Sequence, residues 1–390
     1  MSELETEPRV HPRVALVLTG GGARGAYQVG VLRGLGRAFP QARFRLLTGV
    51  SAGAINAVYL ALRPEPLGEA SRRLAEIWRH IDIDRVVHAD WSWLTRNVMR
   101  WGAQLGLGGH GPHARAFLDT SPLRETLSGF LCDEGERIGG IRRNLATDRL
   151  DAVAVATVNY STGQTVQWVQ GRDIRPWRAT NRRSRQTEIE LDHVMASAAL
   201  PLIFPAVELE DGWHGDGGIR LAAPLSPALR LGADRLLAVS TRYLPSDEES
   251  AAPLFDDYPS PAQIGGHLMN AIFLDVLDQD IRRLERINEL LDKVPVEEYG
   301  ELKPIDFELI RPSADLGAMA ADLVPKLPKG LRFFSAGLDG ENSKSPDFLS
   351  LLMFQPDYVE RLIELGERDV EARLDDLRRL LYAPDPAQSE

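Results

Sequence analysis

Ser51 lies in Gly49-Val50-Ser51-Ala52-Gly53, a G-x-S-x-G string. This spacing suits a serine nucleophile on a sharp turn between a strand and a helix, which lifts the hydroxyl out of the sheet. Gly49 and Gly53 relieve the crowding such an elbow creates. A helix N-terminus beneath the serine favours developing negative charge. The same string also fits a helix N-cap serine between two packing glycines. A second string, Gly20-Gly21-Gly22-Ala23-Arg24-Gly25, fits G-x-G-x-x-G. It suits either of two chemistries. One is a dinucleotide site, which requires an acidic residue about 20 positions on, at the end of the next strand, to hold the ribose. The next strand here ends in Thr48-Gly49-Val50-Ser51, without a carboxylate. The other is an oxyanion hole, in which backbone N–H groups freed by glycine hold the negative oxygen of a tetrahedral intermediate. Arg24 would add positive field. A Walker A loop is excluded, because Ala26 and Tyr27 follow Gly25.

A serine nucleophile needs a base. The chain has eight histidines, at positions 11, 80, 88, 110, 113, 193, 214 and 267. None of them stands out in a catalytic pattern. The best carboxylate is Asp216, in Gly215-Asp216-Gly217-Gly218, where the glycines let the backbone bring an aspartate close to another loop. Asp-Gly is also a hairpin signal, so a plain turn competes with this reading. If residues 213–217 are extended, His214 and Asp216 share one side of the strand.

These residues need elements to hold them. Val14–Thr19 is an apolar, strand-like run ending in the first glycine string, and a helical pattern follows through Tyr27, Val31, Leu32 and Leu35. Arg45–Val50 is a second strand leading into Ser51, and Ala54–Leu62 reads as a helix. Repeated strand–turn–helix units predict a largely parallel sheet covered by helices. Residues 64–145 read as mostly helical. Asp151–Asn159, Thr165–Val169 and Arg235–Thr241 read as further strands, the first two joined by a turn at Ser161-Thr162-Gly163. Leu244–Pro261, rich in Pro, Ser and acids, marks the edge of the core. Leu277, Ile281, Leu284, Ile287 and Leu291 recur at helical spacing beyond it, as do Val370, Leu374, Leu377 and Leu381. The expected organisation is a core over 12–243 and a helical extension over 262–385 packed on it.

Composition narrows the function classes. The 390 residues carry 44% hydrophobic and 26% charged side chains, enough for a sizeable core. A net charge of −11 argues against a nucleic-acid partner. Cys132 is the single cysteine, so no intramolecular disulfide forms, which fits a reducing compartment. The acidic N-terminus is not a secretory signal, and no apolar run reaches the length that spans a bilayer. The expectation is a cytoplasmic protein with, at most, peripheral membrane contact. Gly171–Arg185 holds six arginines, Trp177 and one aspartate. It reads as a solvated basic loop or as a patch that docks on anionic lipid.

Taken together, Gly20–Gly25, Gly49–Gly53, Ala196–Pro205 and Asp216–Gly218 occur in an order and spacing that resembles the patatin-like phospholipases. Pro224–Asp234 is similar to that family too, and the likeness covers roughly 12–243. The resemblance implies a three-layer α/β/α sandwich with a mainly parallel sheet, and hydrolysis of lipid acyl esters without metal or organic cofactor. Carried onto this chain, the glycine loop at Gly20, Gly21, Gly22, Arg24 and Gly25 is the oxyanion hole, Ser51 the nucleophile and Asp216 the base, in a loop completed by Gly217 and Gly218. Ser51 would attack the ester carbonyl as Asp216 takes its proton, and water activated by Asp216 would hydrolyse the acyl-enzyme. The competing readings are an inactive lipid-binding or signalling module that keeps the fold, and the dinucleotide oxidoreductase.

Overall fold

The apolar runs of the sequence become the inner strands of one ten-stranded sheet. The computed structural model describes residues 12–88, 116, 118–133, 136–246, 248–249, 276–327 and 347–382. In chain order the strands are β1 (Val14–Leu18), β2 (Leu46–Val50), β3 (Ala152–Asn159), β4 (Thr165–Gly171), β5 (Arg178–Ala179), β6 (Arg182–Gln186), β7 (Val207–Leu209), β8 (Gly212–Asp216), β9 (Arg235–Val239) and β10 (Asp306–Ile310). The helices are α1 (Gly25–Ala38), α2 (Ala52–Leu62), α3 (Leu67–Arg79), α4 (Ser121–Leu131), α5 (Gly139–Ala146), α6 (Leu191–Ser197), α7 (Ser226–Arg230), α8 (Val276–Leu291), α9 (Leu316–Ala321), α10 (Asp347–Leu351), α11 (Pro356–Glu371) and α12 (Leu374–Tyr382).

The sheet runs β10-β9-β1-β2-β3-β4-β6-β5, with β8 on β3 and β7 on β8. The five strands from β10 to β3 are parallel. β4 and β8 run antiparallel to β3. Alternation along the buried strands splits the interior into two layers, as the period of two requires. Leu16 and Leu18 of β1, Val153 and Val155 of β3, and Leu237 and Val239 of β9 face one apolar cluster with α1, α2 and α3. Ala15 and Val17, Ala152 and Ala154, and Leu236 and Ala238 face the other, with α7 and α8. The result is a mixed, mostly parallel sheet between helices, with a helical C-terminal region.

The C-terminal region departs from the all-helical expectation in one respect. Asp306–Ile310 adds β10 to the sheet edge, in register with Arg235–Val239. Its Asp and Glu suit an edge strand, where one side meets solvent, and they hide its apolar signal in the sequence. The Val370–Leu381 periodicity is divided between α11 and α12. α11 lies directly on α1. A Cβ on Gly30 would come within 2.1 Å of the Ile363 carbonyl, so only glycine allows this approach. Tyr27 Oη donates to Asp369 Oδ2 at 2.8 Å across the same buried interface.

Candidate active site

Parallel strands place their carboxyl ends on one rim, where loops can converge. β1 delivers the glycine loop, β2 delivers Ser51 and β9 delivers Thr241 to that rim. Ser51 has φ 56° and ψ −130°, a strained conformation for a residue with a side chain, with a typical cost of about 1–3 kcal/mol. Its flanking glycines cannot be anything larger. A Cβ on Gly49 would sit 2.4 Å from the Gly53 carbonyl oxygen, and one on Gly53 would sit 2.3 Å from that of Leu18. The helix α2 starts at once, with the Ser51 carbonyl accepting from Ala54 N–H at 2.9 Å. The Ser51 N–H donates to Ser197 Oγ at 2.9 Å, and the Ser197 hydroxyl donates to the Ala156 carbonyl at 2.7 Å. Ser197 thereby ties the elbow to β3. It lies inside the family-like stretch Ala196–Pro205, the only sequence signal that pointed toward it.

The glycine loop lies against the serine. A Cβ on Gly20 would be 3.2 Å from Ser51 Cβ and 3.8 Å from its Oγ. Gly22 has φ +53°, and a Cβ there would fall 2.2 Å from the Leu351 carbonyl oxygen. Gly25 is pressed on Ala52, with 2.7 Å left for a Cβ. The N–H groups of Gly21, Gly22 and Ala52 donate to no protein acceptor among the described residues. Residues that the sequence did not single out fix the loop. Thr241 Oγ1 donates to the Gly20 carbonyl and Gln28 Nε2 to the Thr19 carbonyl, both at 2.7 Å. Asn56 Nδ2 donates to Gln28 Oε1 at 3.1 Å, and Trp78 Nε1 donates to Asn56 Oδ1 at 2.9 Å. Arg24 is buried, with its Nε donating to Ser350 Oγ at 2.6 Å.

Asp216 arrives from the opposite direction. β2 occupies one edge of β3 up to the pair Val50–Ala156. β8 takes over that edge from the pair Asp216–Thr157 and runs antiparallel. The two strands therefore meet end to end, and Ser51 and Asp216 follow each other along the edge. Gly217 must be bare, because a Cβ would lie 2.5 Å from the Ala156 carbonyl oxygen. The Asp216 side chain is fully buried; its Oδ1 accepts from Gly218 N–H at 2.8 Å. Its Oδ2 has no protein partner of normal hydrogen-bond geometry. Burial pushes the carboxyl up to about 7, held back in part by the nearby Ser51 side chain and by Gly218 N–H.

The hairpin signal belongs elsewhere. The turn between β7 and β8 is made at Glu210-Asp211, with Gly212 at φ +119°. Asp216 sits at the strand's far end. His214 shares the Asp216 side of β8, but both ring nitrogens are occupied: Nδ1 with Thr157 Oγ1 at 2.8 Å, Nε2 with Asp211 Oδ1 at 2.8 Å. Burial holds it neutral by lowering its pKa. His193 accepts the Glu190 N–H to cap α6, and burial pushes it down to about 4. His11, His110, His113 and His267 lie outside the described residues.

The basic stretch is less free than its sequence suggests. Arg172 pairs with Asp148 and Asp151, Arg183 with Asp211, and Arg185 with Glu210. Arg182–Gln186 forms β6 rather than a loop, and Trp177 packs on the core. Beside Ser51 lies a narrow cavity lined by Ile55, Trp78, Leu123, Leu200, Leu351 and Phe354 among others, with Ser51 its one polar side chain. Among the described residues no cluster of three His, Cys, Asp or Glu could hold a metal ion, and no helix is long and apolar enough to cross a membrane.

A mostly parallel sheet with a strained serine, a glycine loop and a buried carboxylate on its rim defines a hydrolase-like α/β protein. Residues 16–229 match the family model "Patatin-like phospholipase", and the chain belongs to that family. Among solved structures the chain is similar to human GIVD cytosolic phospholipase A2, at 13% identity and TM-score 0.48, over 97% of this chain and 61% of that one. It is also similar to VipD from Legionella pneumophila, at 14% identity and TM-score 0.37, over 94% and 67%. A third likeness is to the ExoU-SpcU complex of Pseudomonas aeruginosa, at 15% identity and TM-score 0.31, over 97% and 80%. The chain spans about three fifths of the phospholipase A2 it matches. No curated protein matches it by sequence.

Proposed function

We propose that the chain is a serine acyl-hydrolase of lipid carboxylic esters, working through a Ser51–Asp216 dyad and an acyl-enzyme. One observation carries this reading. Asp216 presents a buried, unpartnered Oδ2 beside a strained Ser51. A carboxylate near 7 is a competent base at neutral pH, unlike an exposed aspartate near 3.9. Asp216 takes the Ser51 proton as Oγ attacks the ester carbonyl. The open N–H groups of Gly21 and Gly22, with that of Ala52, supply donors for the oxyanion. The alcohol or lysolipid leaves with the proton, and water delivered past Asp216 cleaves the acyl-enzyme. Arg24 acts on the loop from within the protein, since Ser350 holds its Nε. The apolar lining beside Ser51 suits an acyl chain. The dinucleotide reading loses its support, because β2 ends in the elbow serine and offers no acid for a ribose. The occupied ring of His214 favours a dyad over a triad.

The test is a set of point variants assayed on ester substrates, with circular dichroism to check folding. Ser51→Ala and Asp216→Asn are expected to lose roughly a thousandfold or more in turnover. His214→Ala and His267→Ala are expected to keep much of it. A fluorophosphonate should form its adduct on Ser51, located by mass spectrometry. Full turnover in Ser51→Ala ends the reading; inactivity of a folded histidine variant replaces the dyad with a triad.

A further inference from the structure

The cavity beside Ser51 is walled from two distant parts of the chain. Ile55, Trp78, Leu123 and Leu200 come from the region matched to the family, and Leu351 and Phe354 come from the C-terminal segment beyond it. Among the described residues its free space is about 40 Å3, room for about three water molecules or the first carbons of an acyl chain. Trp78, Phe204 and Phe354 are its aromatic lining residues. Trp78 and Phe354 stack with centroids 6.5 Å apart and planes 24° from parallel. The indole is pinned by its hydrogen bond to Asn56, so moving it would orphan a buried polar group. Phe354 has no polar group to anchor it, and apolar packing alone holds its ring.

We propose that Phe354 is a specificity-determining residue: with Leu351 it closes the acyl cavity beside Ser51 and restricts the site to short acyl chains. The proposal rests on the Ser51 hydrolase reading. It makes the C-terminal segment a working part of the site, because the wall that limits the substrate lies more than a hundred residues past the family match.

The experiment has two arms on the full chain. In the first, kcat/KM is measured for the p-nitrophenyl esters of butyrate, octanoate and palmitate with wild type, Phe354→Ala, Phe354→Leu and Ser51→Ala. The wild type is expected to prefer butyrate. Phe354→Ala is expected to raise the palmitate-to-butyrate ratio at least about tenfold, with Phe354→Leu between, because added pocket length is read per methylene. In the second arm, calorimetry compares octanoate binding to Ser51→Ala and to Ser51→Ala/Phe354→Ala, and the double variant is expected to bind more tightly. Phe354→Leu leaves a smaller void and keeps the test open should Phe354→Ala not fold. A wild-type preference for palmitate, or an unchanged ratio with unchanged octanoate affinity in folded variants, overturns the proposal. Wild-type hydrolysis by Ser51→Ala would instead sink the nucleophile reading, and the binding arm would still decide the role of Phe354.

Discussion

As the proposed base, Asp216 would gain its reactivity at the expense of stability. Its carboxyl ordinarily titrates near 3.8 and is pushed up to about 7 by burial. A base must be unprotonated, so kcat/KM is expected to rise with pH through about 7 and to level off above it. The same shift has a stability consequence. A group whose folded pKa is raised stabilises the fold fully below its unfolded pKa, and that contribution is lost as pH rises through the folded value. Asp216 therefore weakens the fold progressively between about pH 4 and pH 7. Asp216→Asn keeps the shape without the charge. We expect it to be inactive and, relative to wild type, to gain roughly 2–4 kcal/mol between pH 4 and pH 8. Denaturant melts at the two pH values check this; a pH-independent difference would show that the carboxylate is not strained by burial.

At the scale of elements, the site depends on which strand and helix ends meet. Ser197, near the end of α6, bridges the Ser51 N–H and the Ala156 carbonyl. Removing its hydroxyl leaves a buried N–H unsatisfied, a cost of about 1–3 kcal/mol. Ser197→Ala is expected to lower kcat about tenfold or more and to slow fluorophosphonate labelling of Ser51, with KM little changed. Ser197→Thr should restore part of the rate, since it returns the hydroxyl. A purely structural role would lower the melting temperature and leave the labelling rate of the folded enzyme unchanged. The glycine loop teaches a different lesson about such tests. A side chain at Gly22 would strike the Leu351 carbonyl, so its variants report on the C-terminal wall as well as on the proposed oxyanion loop.

At the scale of the whole molecule, the C-terminal region is part of the interior. Tyr358, Val359, Leu362 and Ile363 of α11 are fully buried. Each is worth about 1.5–3 kcal/mol when buried. Together they rival the ~5–15 kcal/mol by which a typical domain is stable. Gly30 and Gly34 of α1 face this helix, and Ser350, Leu351 and Phe354 reach the site itself. A chain ending before Asp347 is therefore expected to lose cooperative unfolding and to aggregate, as judged by thermal melts and size-exclusion chromatography. A truncated chain that melts like the full one would make the extension an independent unit.

Sequence alone determined the candidate residues and many of the local elements that hold them. Gly49 and Gly53 announce the elbow because no other residue fits beside the carbonyls they face. The runs of β1, β3 and β9 announce buried parallel strands because both of their faces are apolar. Charged strands at or next to the sheet edges escaped notice: β6 carries arginines and β10 carries acids, so neither shows the apolar signal of an inner strand. Only the tertiary structure decided what lies beside what. No local pattern could say that β8 takes over the edge of β3 where β2 stops, bringing Asp216 to Ser51 across 165 positions. None could say that Asp211, rather than Asp216, makes the hairpin turn, that His214 spends both nitrogens on Thr157 and Asp211, or that Phe354 lines the cavity beside Ser51. These are pairings between residues far apart in the chain, and their energies come from burial and register, which exist only once the strands are assembled.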